Sequence, residues 1–582
     1  MAHRAHLFSL RLGHAFRDSC LHEPYGRKLF LKDLLAGITV GIIAIPLAMA
    51  LAIASGVAPQ YGLYSAIIGG FIIALTGGSR LSVSGPTAAF VAILYPIAQQ
   101  YGLGGLLLAT VMSGLILIGL ALIRLGRLIE YIPASVTLGF TGGIGVVIAT
   151  LQLKDFLGLT GLTLPVHYLD KLTALAQAAP NFYGPSVLVA LLTLAIMLLW
   201  PKLIGPKLKL PVPAHLPAVM LASLLTWLLN SQGFTIATIS SQFSYVLTDG
   251  RTGQGIPPVL PQFIWPWLQP GPEGGVLTLD WSLLQALLPA AFAIAMLGAI
   301  ESLLCAVVLD GMTGKRHSAN SELLGQGIGN IVAPFFGGIT ATAAIARSAA
   351  NVKAGGQTPV ASMVHALVVL AALVLLAPLL AYVPMPAMAA LLMVVAWNMS
   401  EAHKAVRLLK TAPWGDVLVF FTCFSLTILF DMVIAITAGI LVACVLFMRD
   451  IAEMTRVTDI SRSSRFSAMP VPDGWSVYKI NGPLFFAAAD RVFSELAGLC
   501  RAQTGVVLYL DGVSILDAGG QAALSGFVAH CQRHNIEVVV ADLQYQPLKT
   551  LARAGVQPIP EQLSFYGTLQ EAIIELNNRA AA

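Results

Sequence analysis

Apolar segments long enough to cross a membrane recur along this chain from about Leu34 to about Phe447. The 582 residues are 57% apolar and only 10% charged, whereas roughly a quarter of the residues of soluble domains are charged. About 20 consecutive apolar residues are enough for one transmembrane helix. The sequence therefore predicts an α-helical polytopic membrane protein with about fourteen transmembrane segments.

Changes in composition divide the chain into four parts. Residues 1–33 are rich in Arg and His and lack the short apolar core of a cleaved signal peptide, which predicts a cytoplasmic N-terminal segment. Residues 34–455 are predicted to form the transmembrane domain. After a predicted linker at 456–475, residues 476–582 have the composition of an ordinary soluble domain.

Basic residues lie on alternate connections between the apolar segments, and this bias predicts orientation. The longest loops on one side, 152–184 and 230–282, carry only Lys154, Lys171 and Arg251. The connections on the other side include Arg27, Lys28, Lys32, Arg80, Arg124, Lys202, Lys315, Arg316, Lys404, Arg407, Lys410 and Arg449. Loops rich in Lys and Arg face the cytoplasm, so both termini are predicted to be cytoplasmic. The net charge of +5 then reflects topology, and nucleic-acid binding is not predicted.

Two stretches, Ser82–Phe90 and Thr340–Ala349, interrupt the apolar pattern at corresponding places in the two halves of the membrane domain. Each is rich in small and hydroxylic residues and follows a Gly-Gly pair, so each is predicted to be extended chain that turns into a short helix. Such broken helices survive in a bilayer only where protein or a water-filled cavity satisfies the backbone. Two half-helices would aim their N-terminal N–H groups at one point, which predicts an anion site.

The order of elements around these stretches is the same in both halves. A long apolar segment containing Pro46 precedes the first stretch, and one containing Glu301 precedes the second. With seven segments in each half, the second half must enter the membrane from the opposite face. The sequence thus predicts 7+7 inverted repeats, an arrangement suited to alternating access.

Glu301 and Arg347 are the charges most informative about the site. Glu301 lies in the middle of a long apolar run, where an ionised carboxylate is costly unless it faces water or a partner. Burial favours its protonated form, which makes Glu301 a candidate proton carrier. Arg347 lies one turn into the second half-helix, and its guanidinium offers a fork of donors suited to an anion. The alternative for Arg347 is a structural partner of the half-helices or of Glu301.

Small side chains would let an anion approach the main chain beside these charges. The predicted backbone donors are Ala344, Ile345 and Ala346 on one half-helix and Thr87 and Ala88 on the other. The Thr87 hydroxyl is a further candidate donor. Pro46 and the apolar residues after it are predicted to form one wall of the site, which would suit the methylenes of a dicarboxylate.

Several stretches resemble the sulfate permease family of anion transporters: Gly41–Ala50, Leu75–Arg80, Ser84–Phe90, Tyr131–Gly139 and Asn330–Gly338. The resemblance implies fourteen segments in two inverted repeats, divided into a core and a gate, and a homodimer in the bacterial inner membrane. Met296–Gly311 and Trp397–His403 are most similar to the family's bacterial C4-dicarboxylate transporters. That similarity implies import of succinate, fumarate or aspartate with protons, for which Glu301 would be the coupling residue.

The pattern of residues 476–582 predicts alternating strands and helices. They include a buried strand at Val506–Asp511 and an amphipathic helix at Gly519–His534. Asp511–Gly520 resembles the signature of STAS domains, the anti-sigma factor antagonist domains that end most chains of the family. Signalling STAS domains carry a phosphorylatable Ser directly after the second Asp, and this chain has Ala518. The domain is therefore predicted to be a scaffold for dimer contacts or a cytoplasmic protein partner.

Two alternatives stay open. The same fold could transport sulfate or bicarbonate, coupled to protons or to sodium. A second alternative is a membrane receptor that senses an anion and signals through the STAS domain. No metal-ligand spacing, nucleotide-binding loop or nucleophile motif stands out in the sequence, so neither a cofactor nor an enzymatic activity is predicted.

Overall fold

The computed structural model describes residues 10–126, 132–165, 167–203, 213–246, 250–271, 274–275, 277, 279–430, 432–461 and 470–581. The chain divides into two compact units, Met1–Ile440 and Leu441–Ala582.

The first half of the membrane unit begins with α1 (Arg27–Ala54) and α2 (Pro59–Thr76), which contains a π-helical turn at Ser65–Gly69. The short strand β1 (Ser84–Gly85) and a 3₁₀ turn (Ala88–Phe90) lead into α3 (Val91–Leu122). Gly102 has a non-helical φ of 67° and divides α3 into two segments. The helices that follow are α4 (Ala134–Leu157), α5 (Tyr168–Ala178), α6 (Gly184–Leu203) and α7 (His215–Ser231).

A connection that contains a short helix, Ile239–Gln242, and two paired strands, β2 (Ser244–Val246) and β3 (Thr252–Gln254), joins the halves. The second half begins with α8 (Trp281–Thr313) and α9 (Ala319–Val332), which ends in a 3₁₀ turn at Ala333–Phe336. The strand β4 (Thr342–Ala343) leads into the half-helix α10 (Ile345–Lys353). The remaining helices are α11 (Val360–Leu380), α12 (Met385–Met399), α13 (Ala402–Thr411), α14 (Trp414–Leu429) and α15 (Met432–Met454).

Nine helices in the described part of the chain are long and apolar enough to cross a membrane. When the break in α3, the helix α9, the half-helix α10 and the shorter apolar helices α7 and α14 are included, each half of the described chain has seven segments. An odd number per half inverts the second half relative to the first, which is the predicted arrangement.

The predicted start of the membrane domain at residue 34 stays a prediction, and the helix α1 begins earlier, at Arg27. Asp33 is buried inside α1 and accepts hydrogen bonds from the backbone N–H groups of Gln357 (2.6 Å) and Thr358 (3.2 Å). A charged residue that looked like the end of a loop thus holds the turn that precedes α11. The described residues of the N-terminal segment also contact α2, since the Gly13 N–H donates to the Thr76 carbonyl at 2.9 Å.

The second unit contains a five-stranded sheet in the order β5 (Arg456–Asp459), β6 (Trp475–Asn481), β7 (Gly505–Gly512), β8 (Glu537–Ala541) and β9 (Leu563–Tyr566). The first pair is antiparallel and the others are parallel. Its helices are α16 (Phe486–Leu499), α17 (Ala518–Arg533), α18 (Tyr545–Arg553) and α19 (Leu569–Ala581).

The predicted linker at 456–475 is corrected at its start, because residues 456–459 form the edge strand β5. Backbone pairing with β6, from Arg456 opposite Asn481 to Asp459 opposite Tyr478, makes these residues part of the domain. Residues 462–469 of the predicted linker lie outside the described residues. Ala518 is exposed at the start of α17, where its neighbour Asp517 caps the helix by accepting from the Gly520 N–H at 2.7 Å.

Candidate functional site

The two interrupted stretches meet as a short antiparallel pair of strands. Ser84 lies opposite Ala343, and Gly85 lies opposite Thr342. Each strand then turns into a helix within a few residues, at Ala88 in the first half and at Ile345 in the second. The pairing brings two helix starts from distant parts of the sequence together.

Both helix starts present backbone donors without a side-chain cap. Ala344 precedes α10 and Thr87 precedes the 3₁₀ turn, and neither side chain accepts a cap hydrogen bond. The first N–H groups of a helix have no partner within the helix. Ile345 is 42% exposed and Ala346 is exposed, so the predicted donors of α10 border open space, whereas Ala88 is only 5% exposed.

Glu301 is attached to the first stretch. The Thr87 hydroxyl donates to Oε2 of Glu301 at 2.8 Å, and Glu301 is partly exposed. One turn earlier on α8, the Gly298 carbonyl accepts from the Thr342 hydroxyl of the second stretch at 3.1 Å. One face of α8 therefore holds both stretches, and Glu301 lies at their junction.

Arg347 points across the junction into the protein. Its side chain is 2% exposed, and Nη2 donates to the Pro86 carbonyl of the first stretch at 2.7 Å. Nε and Nη1 are buried without a protein partner among the described residues, and no ion pair joins Arg347 to Glu301 there. A Cβ at position 85 would lie 2.8 Å from Nη1, so only Gly85 leaves room for the guanidinium. Arg347 therefore braces the first stretch. Direct anion binding by Arg347 stays a prediction.

Glu322 is a site-supporting residue that sequence reasoning missed. It is buried on α9 and accepts from the backbone N–H groups of Gly78 (2.9 Å) and Ser79 (2.8 Å), just before the first stretch. The Ser302 hydroxyl contacts its other oxygen at 3.3 Å. The argument that singled out Glu301, a charge isolated in an apolar run, does not reach Glu322, because Glu322 follows a polar connection.

The second stretch is anchored by amide side chains of the same helix. The Ala341 carbonyl accepts from Gln326 Nε2 at 2.8 Å and from Asn330 Nδ2 at 2.9 Å. Asn330 Oδ1 in turn accepts from the Ala341 N–H at 2.8 Å. The helix α9 thus fixes the approach of both stretches to the junction.

Pro46 lies inside α1 and is buried. Leu47 is 8% exposed and Met49 is fully buried, and both belong to the hydrophobic core. The apolar run after Pro46 therefore packs against protein, and the exposed apolar surface at the junction comes from Ile345 instead.

Comparison with known proteins bears on this arrangement. A model of the sulfate permease family matches residues 30–423, well over half of the chain, and a model of the STAS domain matches residues 467–572. The chain belongs to the sulfate permease family. The predicted family and the predicted STAS domain are both confirmed, and the protein is a multi-pass membrane anion transporter with a C-terminal STAS domain.

Two curated relatives cover most of this sulfate permease. The Bacillus subtilis (strain 168) protein "Putative sulfate transporter YvdB" is 39% identical over 541 residues, which are 93% of this chain and 96% of the relative. The "Bicarbonate transporter BicA" of Picosynechococcus sp. is 27% identical and covers 80% of each chain. The predicted similarity to the dicarboxylate branch is not shown by these matches.

Solved structures share the fold. The transmembrane domain of a cyanobacterial bicarbonate transporter BicA superimposes with a TM-score of 0.60 at 28% identity, over 71% of this chain and 98% of that one. The SLC26A9 structure superimposes with a TM-score of 0.80 at 18% identity, over 100% of this chain and 94% of that one. The predicted fold class, a helical transporter with inverted halves and a STAS domain, is confirmed.

Proposed function

We propose that this sulfate permease is a secondary active transporter that imports C4-dicarboxylates such as succinate, fumarate and aspartate together with protons, by alternating access. The observation that carries the proposal is the Thr87–Glu301 hydrogen bond at the junction of the two half-helices. It supports a role for Glu301 as the proton-coupling residue. Substrate would bind against Thr87, Ala88, Ala344, Ile345 and Ala346, with Arg347 behind them and Pro46 in the supporting helix.

Charge balance explains how a proton and an anion would travel together. With Glu301 ionised, the buried Arg347 and Glu301 cancel, and the junction offers little net attraction to an anion. Protonation of Glu301 leaves the guanidinium charge uncompensated in a medium of low dielectric constant, where charge interactions are strong. An anion then restores neutrality, so each loading step favours the other.

The choice of cargo depends on the surface beside the backbone donors. Ile345, 42% exposed at the first position of α10, supplies an apolar contact that the methylenes of a dicarboxylate would use and that sulfate or bicarbonate would not. The names of the two curated relatives favour a second candidate, import of sulfate or bicarbonate through the same site with protons or sodium. Both candidates keep the same mechanism and differ only in cargo and coupling ion.

The remaining parts of the proposal concern topology and assembly. The distribution of basic residues supports cytoplasmic termini in a bacterial inner membrane. We propose a homodimer whose STAS domain serves as a scaffold or binds a cytoplasmic protein partner. Ala518, in place of a phosphorylatable residue, disfavours the alternative of an anion receptor that signals through this domain.

Uptake by proteoliposomes tests the proposed cargo and coupling. Labelled succinate, fumarate, sulfate and bicarbonate are each supplied with and without an inward proton gradient, and with and without sodium. We expect succinate uptake that rises with the gradient and is independent of sodium. Uptake of sulfate without transport of, or competition by, succinate would refute the dicarboxylate assignment in favour of the second candidate.

The variant Glu301→Gln tests the coupling residue. Because glutamine mimics the protonated carboxyl group and cannot release a proton, we expect uptake that no longer responds to the gradient. The wild-type rate should rise by up to about tenfold per pH unit, the change in proton concentration itself. Glu401→Gln, partly exposed between α12 and α13, is the matched control and should respond like the wild type. A full response in Glu301→Gln would contradict the assignment.

A further inference from the structure

A groove of about 510 Å³ runs along the outer side of the helix pair α1 and α11. Its walls come from α1 between Phe30 and Ile38 and from α11 between Val360 and Ala371, with Phe71 of α2 beside them. Every side chain that lines it is apolar. Sites for polar small molecules carry a few placed polar groups, which this lining lacks, so the groove suits a hydrocarbon ligand.

Close packing of the two helices forms the floor of the groove. A Cβ at position 37 would lie 2.5 Å from the Ala361 carbonyl oxygen and 2.6 Å from Cβ of Val364, so only glycine lets α1 and α11 approach this closely. Asp33 ties the first turns of α1 to the turn before α11 through the Gln357 N–H. The groove is therefore preformed, and both helices begin at the same side of the membrane unit.

The length of the groove matches one leaflet of a bilayer. Ala371 follows Val360 by eleven residues, which is about 16 Å along a helix that rises about 1.5 Å per residue. The hydrocarbon core of a bilayer is about 30 Å thick, so one leaflet contributes about 15 Å. A hydrocarbon chain that enters where the helices begin would therefore end near the middle of the bilayer, as the acyl chain of a phospholipid does.

Basic side chains lie at the end of the groove where the two helices begin. Arg27 is exposed and precedes Phe30 by three residues and Leu34 by seven, which places it on the face of α1 that forms the wall. Three further exposed cations lie on the first turns of α1 and at the end of α10, four residues before Gln357: Lys28, Lys32 and Lys353. The mouth of the groove is thus basic, whereas its interior is apolar.

Few carboxylates offset these cations. Asp33 is the single acidic residue within residues 24–76 and 348–380, and it is buried and hydrogen-bonded. Glu23 precedes α1 and pairs with Arg80 at 2.7 Å, so that pair cancels. Four exposed cations against one buried carboxylate leave the mouth positive. Basic residues at the depth of the lipid headgroups attract anionic lipids.

We propose that this groove binds one acyl chain of an anionic phospholipid whose phosphate group lies at Arg27 among the cations of the mouth. A zwitterionic phospholipid would offer the same chain with a headgroup of no net charge, and should bind less tightly. The site lies on the outer surface of the helix pair, apart from the junction of the half-helices. It depends on neither the proposed cargo nor the proposed coupling ion.

Thermal unfolding of the full chain in detergent tests the headgroup contact. Phosphatidylglycerol and phosphatidylcholine with identical acyl chains are titrated, and we expect phosphatidylglycerol to raise the unfolding temperature at lower concentration. Arg27→Gln should raise the apparent Kd for phosphatidylglycerol about fivefold, the effect of one basic residue at a membrane surface, and leave that for phosphatidylcholine unchanged. Lys410→Gln, on the exposed surface of α13, should behave like the wild type.

Equal responses of the wild type to the two lipids, or an unchanged Kd in Arg27→Gln, would overturn the proposal. Glycerol phosphate carries the charge of the headgroup without acyl chains and should not stabilise the protein. Stabilisation by glycerol phosphate as large as that by the lipid would show a site for a free anion and would overturn the lipid assignment.

The variant Ile38→Trp tests the acyl-chain contact, because an indole ring fills the groove without a change of charge. Leu35→Trp is the matched control, since Leu35 is 63% exposed on the same helix and does not line the groove. Native mass spectrometry of the purified chains counts retained phosphatidylglycerol. We expect bound lipid in the wild type and Leu35→Trp and its loss in Ile38→Trp. Equal retention in the two tryptophan variants would mean that the lipid binds elsewhere.

Discussion

The two interrupted stretches approach the junction in the same way and contribute different chemistry to it. The first contributes the Thr87 hydroxyl, which contacts Glu301, and the Pro86 carbonyl. The second contributes a permanent charge, Arg347, whose guanidinium donates to that same carbonyl. The first stretch, whose hydroxyl contacts Glu301, is therefore held by the stretch that carries the fixed charge.

The two stretches also differ in the charge of the side chains that anchor them to α9. The approach to the first stretch is held by a carboxylate, Glu322, which accepts from two consecutive backbone N–H groups. The approach to the second is held by neutral amides, Gln326 and Asn330, which contact Ala341. Two internal repeats can thus share a backbone geometry while only one is fixed by charge, and substitutions at matched positions should separate the two roles.

The largest expected effect comes from removing the charge of the second stretch. Arg347→Met should lower kcat/KM for anion uptake by about 100-fold, since a unit charge near 6 Å at an effective dielectric constant of about 20 contributes roughly 3 kcal/mol. Arg347→Lys keeps the charge but loses the guanidinium fork. Its kcat/KM should lie between those of the wild type and Arg347→Met. Lys353→Met, at the exposed end of the same half-helix, provides the control. Uptake kinetics in proteoliposomes measure all three, and near-normal uptake by Arg347→Met would show that the bracing contact is dispensable.

An intermediate effect is expected at the anchor of the first stretch. Glu322→Gln should lower the free energy of unfolding by about 1.5 kcal/mol, because hydrogen bonds to an ionised acceptor are about twice as strong as those to a neutral one. Thermal unfolding in detergent measures the change. Glu495→Gln, on the exposed face of α16, should have no effect. Equal stability of the two variants would mean that the first stretch is held no differently from the second.

Sequence reasoning located both stretches because glycine pairs and small hydroxylic residues stand out in an apolar chain. Glu301 was found for the same reason, as an isolated charge in an apolar run. The direction of the Arg347 side chain could not be predicted from local sequence, because its partner, Pro86, is 261 residues away. The apolar run after Pro46 stays a predicted wall of the site. Its residues Leu47 and Met49 are buried in the core, and hydropathy does not distinguish residues that face a cavity from residues that fill the core.

The predicted start of the membrane domain at residue 34 follows local hydropathy, whereas α1 begins at Arg27. Asp33 and its basic neighbours lower the local hydropathy, and the groups that satisfy the carboxylate, at Gln357 and Thr358, belong to the other half of the repeat. The sequence pattern does not single out Glu322, because it follows a polar connection in which acidic residues are common. Local composition thus predicts which segments carry polar groups, whereas contacts between the two repeats decide how those groups are oriented.

The smallest effect should come from the two threonines that attach the stretches to α8. Thr87→Val and Thr342→Val each remove one hydroxyl, at 2.8 Å from Glu301 and 3.1 Å from the Gly298 carbonyl, and each should lower stability by about 1 kcal/mol. Only Thr87→Val should also move the pH of half-maximal uptake upward, because it removes a donor that favours the ionised form of Glu301. Uptake measured over a range of pH separates the pair. An equal shift in both variants would mean that the two threonines act only through packing and that the first stretch has no special link to the proton.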